Sequence, residues 1–276
     1  MKLSAVVLTL NEEKNIQNCI KSLRQISDDI WIVDSFSTDK TKQICISENV
    51  NFIENKFINY AQQRNFAFNL KGIQHDWIAM FDADEEIGLE LALEIHKFVP
   101  KHSTDLVMIR RHDYFFNKSI KYSGGYPTWG ARLFRKGRVG VQRAINEQFQ
   151  VIGETAYLNN TFNHHPFRSG MRHWLERHIK YAQLEAIEFK RERITKSTLK
   201  YLFDSDKIKR RAALKRLIYS LPFRPVIVFL SFYIFKKGFI DGRAGFYYCS
   251  LKFFYECMIS LFRIELKLSN AKIDDK

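Results

Sequence analysis

Short apolar runs alternate with helix-like stretches along the first hundred residues. Lys2–Leu10 (KLSAVVLTL) is apolar and β-branched, the pattern of a buried strand. Ile16, Cys19, Ile20 and Leu23 then recur at helical spacing. Asp29–Asp34 (DIWIVD) predicts a second strand, and a helix follows the Ser35–Asp39 turn through about Ser47. Asn51–Ile53 predicts a brief third strand, Tyr60–Leu70 a helix, and Trp77–Phe81 a fourth strand. Leu89–Phe98 and Asp105–Arg110 add one more helix and one more strand. Strands alternating with helices predict an α/β protein with a doubly wound, mostly parallel sheet.

The texture changes after Arg110. Residues 111–150 are rich in Gly, Tyr, Trp and Arg, with strand-like pieces at Ala131–Phe134 and Val139–Gln142. They predict loop-rich, antiparallel material laid over one side of the sheet. From Ser169 the chain turns helical and basic, with helices expected over Met171–Arg193 and Lys207–Ser220. Pro222-Phe223-Arg224-Pro225 breaks the second of these. Val226–Phe235 is strongly apolar but too short to span a bilayer, and Phe239–Phe262 carries charges at Asp241, Arg243, Lys252 and Glu256. Helices lying in a membrane interface, apolar face down and Lys/Arg toward anionic head groups, fit this pattern. A soluble helical cap is the plainer reading.

The sharpest chemical signal ends the fourth strand. Its apolar run stops at Asp82-Ala83-Asp84-Glu85-Glu86. Residues i and i+2 of an extended chain point to the same side, so Asp82 and Asp84 present their oxygens together. At the carboxyl end of a central strand they lie where open α/β sheets bind ligands, and they suit Mg²⁺ or Mn²⁺ gripping phosphate oxygens. Standing alone, such a pair reads first as a solvated acidic loop, and the rest of the chain has to argue for the metal. Strand 2 also ends in a carboxylate, Asp34, placed where ribose or base is met. Asn11 is either an N-cap or a lining residue of that crevice, beside Thr9 and Glu12. Arg64 has a planar fork suited to phosphate oxygens.

Charge and composition add a division of labour. The 276 residues are 46% hydrophobic with 24 Phe, enough for a sizeable core. The net charge of +14 is uneven: +1 over residues 1–165 and +13 over residues 166–276. The boundary implied is a catalytic domain over 1–165, split near residue 100, and a basic helical region over 166–276. The basic part expects an anionic partner. The four cysteines show neither zinc nor disulfide spacing, and Met1 leads straight into a strand. Both features read as a reducing, cytosolic setting.

Taken in order, Thr9–Glu13, Val33–Asp39, Ala61-Gln62-Gln63-Arg64-Asn65 and Asp82-Ala83-Asp84-Glu85 resemble glycosyltransferase family 2, inverting enzymes with a nucleotide-sugar-binding fold of the GT-A type. Pro127-Thr128-Trp129, Arg132-Leu133-Phe134-Arg135, Asn146-Glu147 and the Gly238–Phe246 segment are similar to the bacterial branch that builds lipopolysaccharide core or related surface glycans. The resemblance implies a UDP-sugar donor, a lipopolysaccharide-core or lipid-linked glycan acceptor and a Mn²⁺ or Mg²⁺ ion on Asp84 and Asp82. It implies that Asp34 or Asp39 reads the uracil and that Glu147 is the general base, with Asp113 and Glu85 as reserves. Asn146 departs from relatives that carry His there. Trp129 and Arg132 would shape the acceptor or donor-sugar floor. His164 and His165 read as ordinary histidines or a metal ligand. The implied site of action is the inner face of the cytoplasmic membrane, peripherally bound, with no nucleic acid involved. A nucleotidyltransferase is the rival enzyme, although Leu8-Thr9-Leu10-Asn11 lacks a Gly-rich phosphate loop. A non-catalytic basic protein binding membrane or RNA is the rival from outside enzymology.

Overall fold

The computed structural model describes residues 1–142, 148–191 and 223–274, together with 201, 210 and 221. They fall into two compact units, Met1–Met171 and Arg172–Lys276.

In the first unit, β1 (Ser4–Thr9), β2 (Ile30–Asp34), β3 (Asn51–Glu54) and β4 (Trp77–Asp82) run parallel. The connecting helices are α1 (Ile16–Leu23), α2 (Thr41–Ser47) and α3 (Tyr60–Phe68). Beyond β4 come β5 (Glu85–Ile87), α4 (Leu89–Lys97), β6 (Thr104–Phe115), β7 (Lys118–Ile120) and β8 (Thr128–Arg135). The hairpin β9 (Val139–Gln142) and β10 (Gln148–Val151) and the strand β11 (Glu154–His164) follow. The main sheet has the order β3-β2-β1-β4-β8-β6-β11-β5, with β7 on β6. Strand β8 is antiparallel to both neighbours, so β6 and β11 again run with β4.

Alternation along the strands divides the core in two. Val7, Ile32, Phe81, Val107 and Leu133 pack with α1 and α4 on one face. Val6, Val33, Met80, Leu106 and Phe134 pack with α3 and Val141 of β9 on the other. Trp77–Phe81 is buried throughout, because both sides of a central strand are covered. Asn65 clamps the hairpin to α3 through both the N–H and the carbonyl of Val141.

The expected elements over the first hundred residues are present within a residue or two. Asn11 is not a helix cap: it sits in the left-handed region at φ 57°, and Asn15 precedes α1. Strand β6 extends five residues beyond the expected Arg110, and β5 and β11 were not foreseen. Their pairing joins segments distant in sequence, which local periodicity does not register.

The second unit contains α5 (Met171–Arg191), α6 (Arg224–Leu230) and α7 (Gly242–Asp274). A π-turn over Ser231–Phe235 and a 3₁₀ turn over Gly238–Asp241 connect the last two. Gly238 and Gly245 are required there by close backbone approach: a Cβ on Gly245 would collide with the Gly238 carbonyl. Arg224 and Glu256 form a buried ion pair at 2.6 Å between α6 and α7. The expected helix over 207–220 lies outside the described residues. Among the described residues, no helix is long and apolar enough to cross a membrane.

Candidate active site at the carboxyl end of the sheet

Two groups of polar side chains stand at the carboxyl ends of β1, β2 and β4. Register places them side by side, since Thr9 lies opposite Asp34 and Leu8 opposite Asp82.

The first group is neutral in its bonding. Asp34 is 1% exposed and accepts from the Thr9 hydroxyl at 2.7 Å, from the Ser37 hydroxyl at 2.6 Å and from the Ser37 amide at 2.7 Å. Asn11 is exposed, and its side-chain oxygen accepts from the Thr38 amide. Asp39 accepts from the Thr41 amide and hydroxyl and from the Glu13 amide, so it holds the start of α2 against the first loop. Glu12 is buried and accepts from Asn15 at 2.6 Å, while its own amide donates to Thr41. These carboxylates are committed to loop geometry, which fixes the crevice in a single shape.

The second group is charged. Arg64 of α3, 5% exposed, donates to Asp82 at 3.1 Å. Arg132 donates through Nε and Nη2 to both oxygens of Glu85, at 2.8 and 2.5 Å, and lies 3.7 Å from Asp82. A β-bulge explains its aim. Leu133 pairs with Val107 and Ala131 with Met108, so Arg132 is the extra residue of β8 and turns toward Glu85. Its guanidinium also packs over the Phe162 and Phe81 rings. Partial burial disfavours the ionised form of Asp82, but Arg64 and Arg132 outweigh it and hold that carboxyl below the usual range. Burial pushes Glu85 up against the pull of Arg132.

Asp84 is 6% exposed and lies 3.6 Å from His164 Nε2. The other nitrogen of His164 is 2.7 Å from Asp113, which Arg111 also grips. Burial lowers the imidazole's proton affinity, but Asp84 and Asp113 override this and push His164 up to about 9. Burial likewise opposes ionisation of Asp113, and His164 and Arg111 keep it below the ordinary value. Sequence reasoning weighed Asp113 and His164 singly and missed them as a pair. The only signal for it is that both stand near the ends of strand-like runs.

Trp129 does not join either group. It pairs with Arg110 across β8 and β6, is 38% exposed, and meets Tyr157 edge to face. Glu147 lies outside the described residues, which flank it with β9 and β10.

Among the described residues, no three His, Cys, Asp or Glu side chains gather as a complete ligand set. Asp84 and, once its Nε2 proton is displaced, His164 nevertheless offer a facing oxygen and nitrogen, and Asp113 anchors the imidazole as carboxylates anchor metal-ligating histidines. A divalent ion held by few protein groups and completed by phosphate oxygens fits this donor pair. Asp82 faces the two arginines instead.

This is a sheet with an anion-compensating, carboxylate-bearing cleft at its carboxyl end. The glycosyl transferase family 2 profile matches residues 4–179, and the chain belongs to that family. Its mostly parallel α/β sheet is the one that the GT-A-type resemblance implies, and its helical C-terminal portion is the one that the pattern after Ser169 predicts. An uncharacterized glycosyltransferase of Rickettsia bellii is 36% identical over 104 residues, 38% of this chain and 35% of the relative. The chain thus spans about a third of the length of such relatives. The lipopolysaccharide core biosynthesis glycosyltransferase LpsC of Rhizobium meliloti is 27% identical over 267 residues, 94% of this chain and 87% of that one. The crystal structure of Staphylococcus aureus TarS 1–349 aligns at a TM-score of 0.45 and 15% identity, covering 98% of this chain and 92% of that 1–349 chain.

Proposed function

We propose that the protein is an inverting, metal-dependent glycosyltransferase that moves a hexose from a UDP-sugar to a lipopolysaccharide-core or related lipid-linked glycan. One observation carries the reading: Asp82, Asp84, Arg64, Arg132 and His164 converge beside the loop-locked crevice of Thr9, Asn11 and Asp34. The relationship to LpsC favours the envelope-glycan acceptor.

In this reading Thr9, Asn11, Glu12, Asp34 and Asp39 line or shape the nucleotide crevice. Asp84 and His164, together with Asp82, would hold a divalent ion, Mn²⁺ or Mg²⁺. The bound ion supplies Lewis-acid neutralisation of the diphosphate. Arg64 and Arg132 place positive charge where the leaving diphosphate's negative charge grows. An acceptor hydroxyl attacks the anomeric carbon from the face opposite the departing diphosphate, so the C–O bond to phosphate breaks as the glycosidic bond forms and configuration inverts. Glu147 receives the hydroxyl proton. Support for Glu147 comes from the other acids: Asp113 is taken by His164 and Arg111, and Glu85 by Arg132.

The catalytic domain is taken as residues 1–165, with donor contacts before residue 100 and acceptor contacts after it. Residues 166–276 dock on the inner face of the cytoplasmic membrane. Tyr247, Phe254, Leu261 and Leu268 recur every seventh residue along α7 and are all exposed, and the region is strongly basic. Leu261→Glu is expected to release the protein from anionic vesicles at low salt; unchanged co-sedimentation would remove the membrane from the account. For the activity, a panel of UDP-sugars with Mn²⁺ or Mg²⁺ is expected to give metal-dependent UDP release. Metal-independent release, or none with any donor, would sink the assignment.

A further inference from the structure

The face of the sheet opposite α1 and α4 carries a row of rings and a cation that the chemistry above does not use. Leu106 and Met108 of β6 pack into the core on that face, so alternation brings Arg110, His112 and Tyr114 out on the same side. Contacts link them into a continuous series. Tyr157 meets Trp129 at 5.0 Å between ring centres, and the Arg110 guanidinium lies 5.8 Å from both Trp129 and Tyr126. Tyr126 meets His112 at 6.2 Å, and His112 stacks on Tyr114 at 5.3 Å. Strand β6 rises about 20 Å over the residues from Met108 to Tyr114.

Two features show that the row is not simply core. Trp129 is 38% and Tyr157 60% exposed. The Nε of Arg110 is shielded from solvent yet has no hydrogen-bond partner among the described residues. Arg110 as a whole is only half-buried, and an anionic group is the natural complement of its guanidinium fork. Lys121 adds a second cation over the Tyr126 ring at 5.6 Å. The row also has a direction. Tyr114 stacks on His165 at 4.6 Å, and the His165 amide donates to the Asp84 carbonyl at 2.8 Å. It therefore ends at the carboxyl end of β6, beside the proposed reaction centre.

We infer that Tyr157, Trp129, Arg110, Tyr126, His112 and Tyr114 form an extended track for an acceptor oligosaccharide carrying a negative group. The track rests on the glycosyl-transfer reading for the identity of its ligand. The apolar C–H face of a sugar ring stacks on an aromatic face and leaves the hydroxyls to water, whereas Arg110 takes a phosphate or carboxylate on the chain. A length of several rings explains why the row reaches far beyond the atoms that react. It makes recognition of the acceptor's interior separate from recognition of the hydroxyl that attacks.

The test is calorimetric titration of the full chain with lipid-free core oligosaccharide from a rough lipopolysaccharide. The oligosaccharide is used with its phosphates retained and after hydrofluoric acid treatment, and UDP with Mn²⁺ is titrated separately. Tyr157→Ala and Arg110→Gln should each weaken binding of the phosphorylated form by about tenfold. The Arg110→Gln penalty should fall below about twofold on the dephosphorylated form. Tyr157 is exposed enough that its truncation leaves the core closed, and melting curves verify this for both variants. Unaltered affinity in both folded variants, no binding by the wild type, or displacement by oligo(U) at equal concentration overturns the track. The UDP titration reports separately on the donor reading. If UDP binds while the variants keep wild-type oligosaccharide affinity, the track alone falls; if UDP fails to bind, the donor reading falls and the oligosaccharide arm still decides the track.

Discussion

The two polar groups at the end of the sheet use the same residue types for opposite purposes. Around Asp34 and Asp39 every carboxylate oxygen accepts from a neighbouring amide or hydroxyl, so the loops after β1 and β2 are held rigid. Around Asp82 and Asp84 the partners are Arg64 and Arg132, full charges, and the ionisable imidazole of His164. Hydrogen-bonded loops make a crevice whose shape is settled before a ligand arrives, and such preorganisation avoids an ordering cost on binding. A cluster of compensated charges can exchange partners with an entering diphosphate and its counter-ion. Shape is built on one side of the cleft and charge on the other.

The largest effect should come from splitting the charged group. Arg132→Ala leaves Glu85 buried and uncompensated, and chemical denaturation should register a loss of about 3–5 kcal/mol. Replacing both partners, Arg132→Met with Glu85→Leu, should recover most of that stability without recovering transfer. If the single variant is as stable as wild type, Glu85 is not held by this pair.

Next comes the neutral group. Asp34→Ala strands the Thr9 and Ser37 hydroxyls and the Ser37 amide, at a cost of about 1–3 kcal/mol. UDP affinity should fall with it, because the crevice loses its shape. A variant that loses UDP binding with unchanged stability would make Asp34 a direct ligand only, and the contrast between the two groups would narrow.

The smallest effect probes the same use of a carboxylate far from the cleft. Glu94 accepts from the amides of Asn159 and Asn160, where the register of β11 against β6 shifts. Partial burial opposes its ionisation, but the two amides prevail and its carboxyl is held below the usual range. Its contribution is therefore complete above the unfolded value of about 4.3 and is lost as pH falls through the lower folded value. Glu94→Gln should cost about 1 kcal/mol near neutrality, discounted for exposure, with the gap to wild type closing in acid. A gap that does not change with pH would assign the effect to packing.

The parallel half of the fold was legible because its strands are buried on both faces and end abruptly at acids. That abruptness singles out Asp82 and Asp84, the planar fork of Arg64 singles out its helix, and the structure sets Arg64 on Asp82. The other half resisted for physical reasons. Arg132 reaches Glu85 through a bulge, and a bulge leaves no periodic trace. Asp113 and His164 meet across strands 51 residues apart. Asn11 looked like a cap because capping residues and left-handed turn residues are the same types. Trp129 reads from the sequence as part of an acceptor or donor-sugar floor, but its neighbours, Arg110 and Tyr157, come from other strands that periodicity does not connect to it.

The proposed role of Asp84 is to anchor the ion that neutralises the diphosphate. Calorimetric titration of UDP into wild type and Asp84→Asn, each with and without Mn²⁺, tests it most directly. Mn²⁺ should tighten UDP binding to wild type by at least about tenfold, and Asp84→Asn should lose this enhancement while keeping its metal-free affinity. An equal Mn²⁺ enhancement in the two proteins would contradict it.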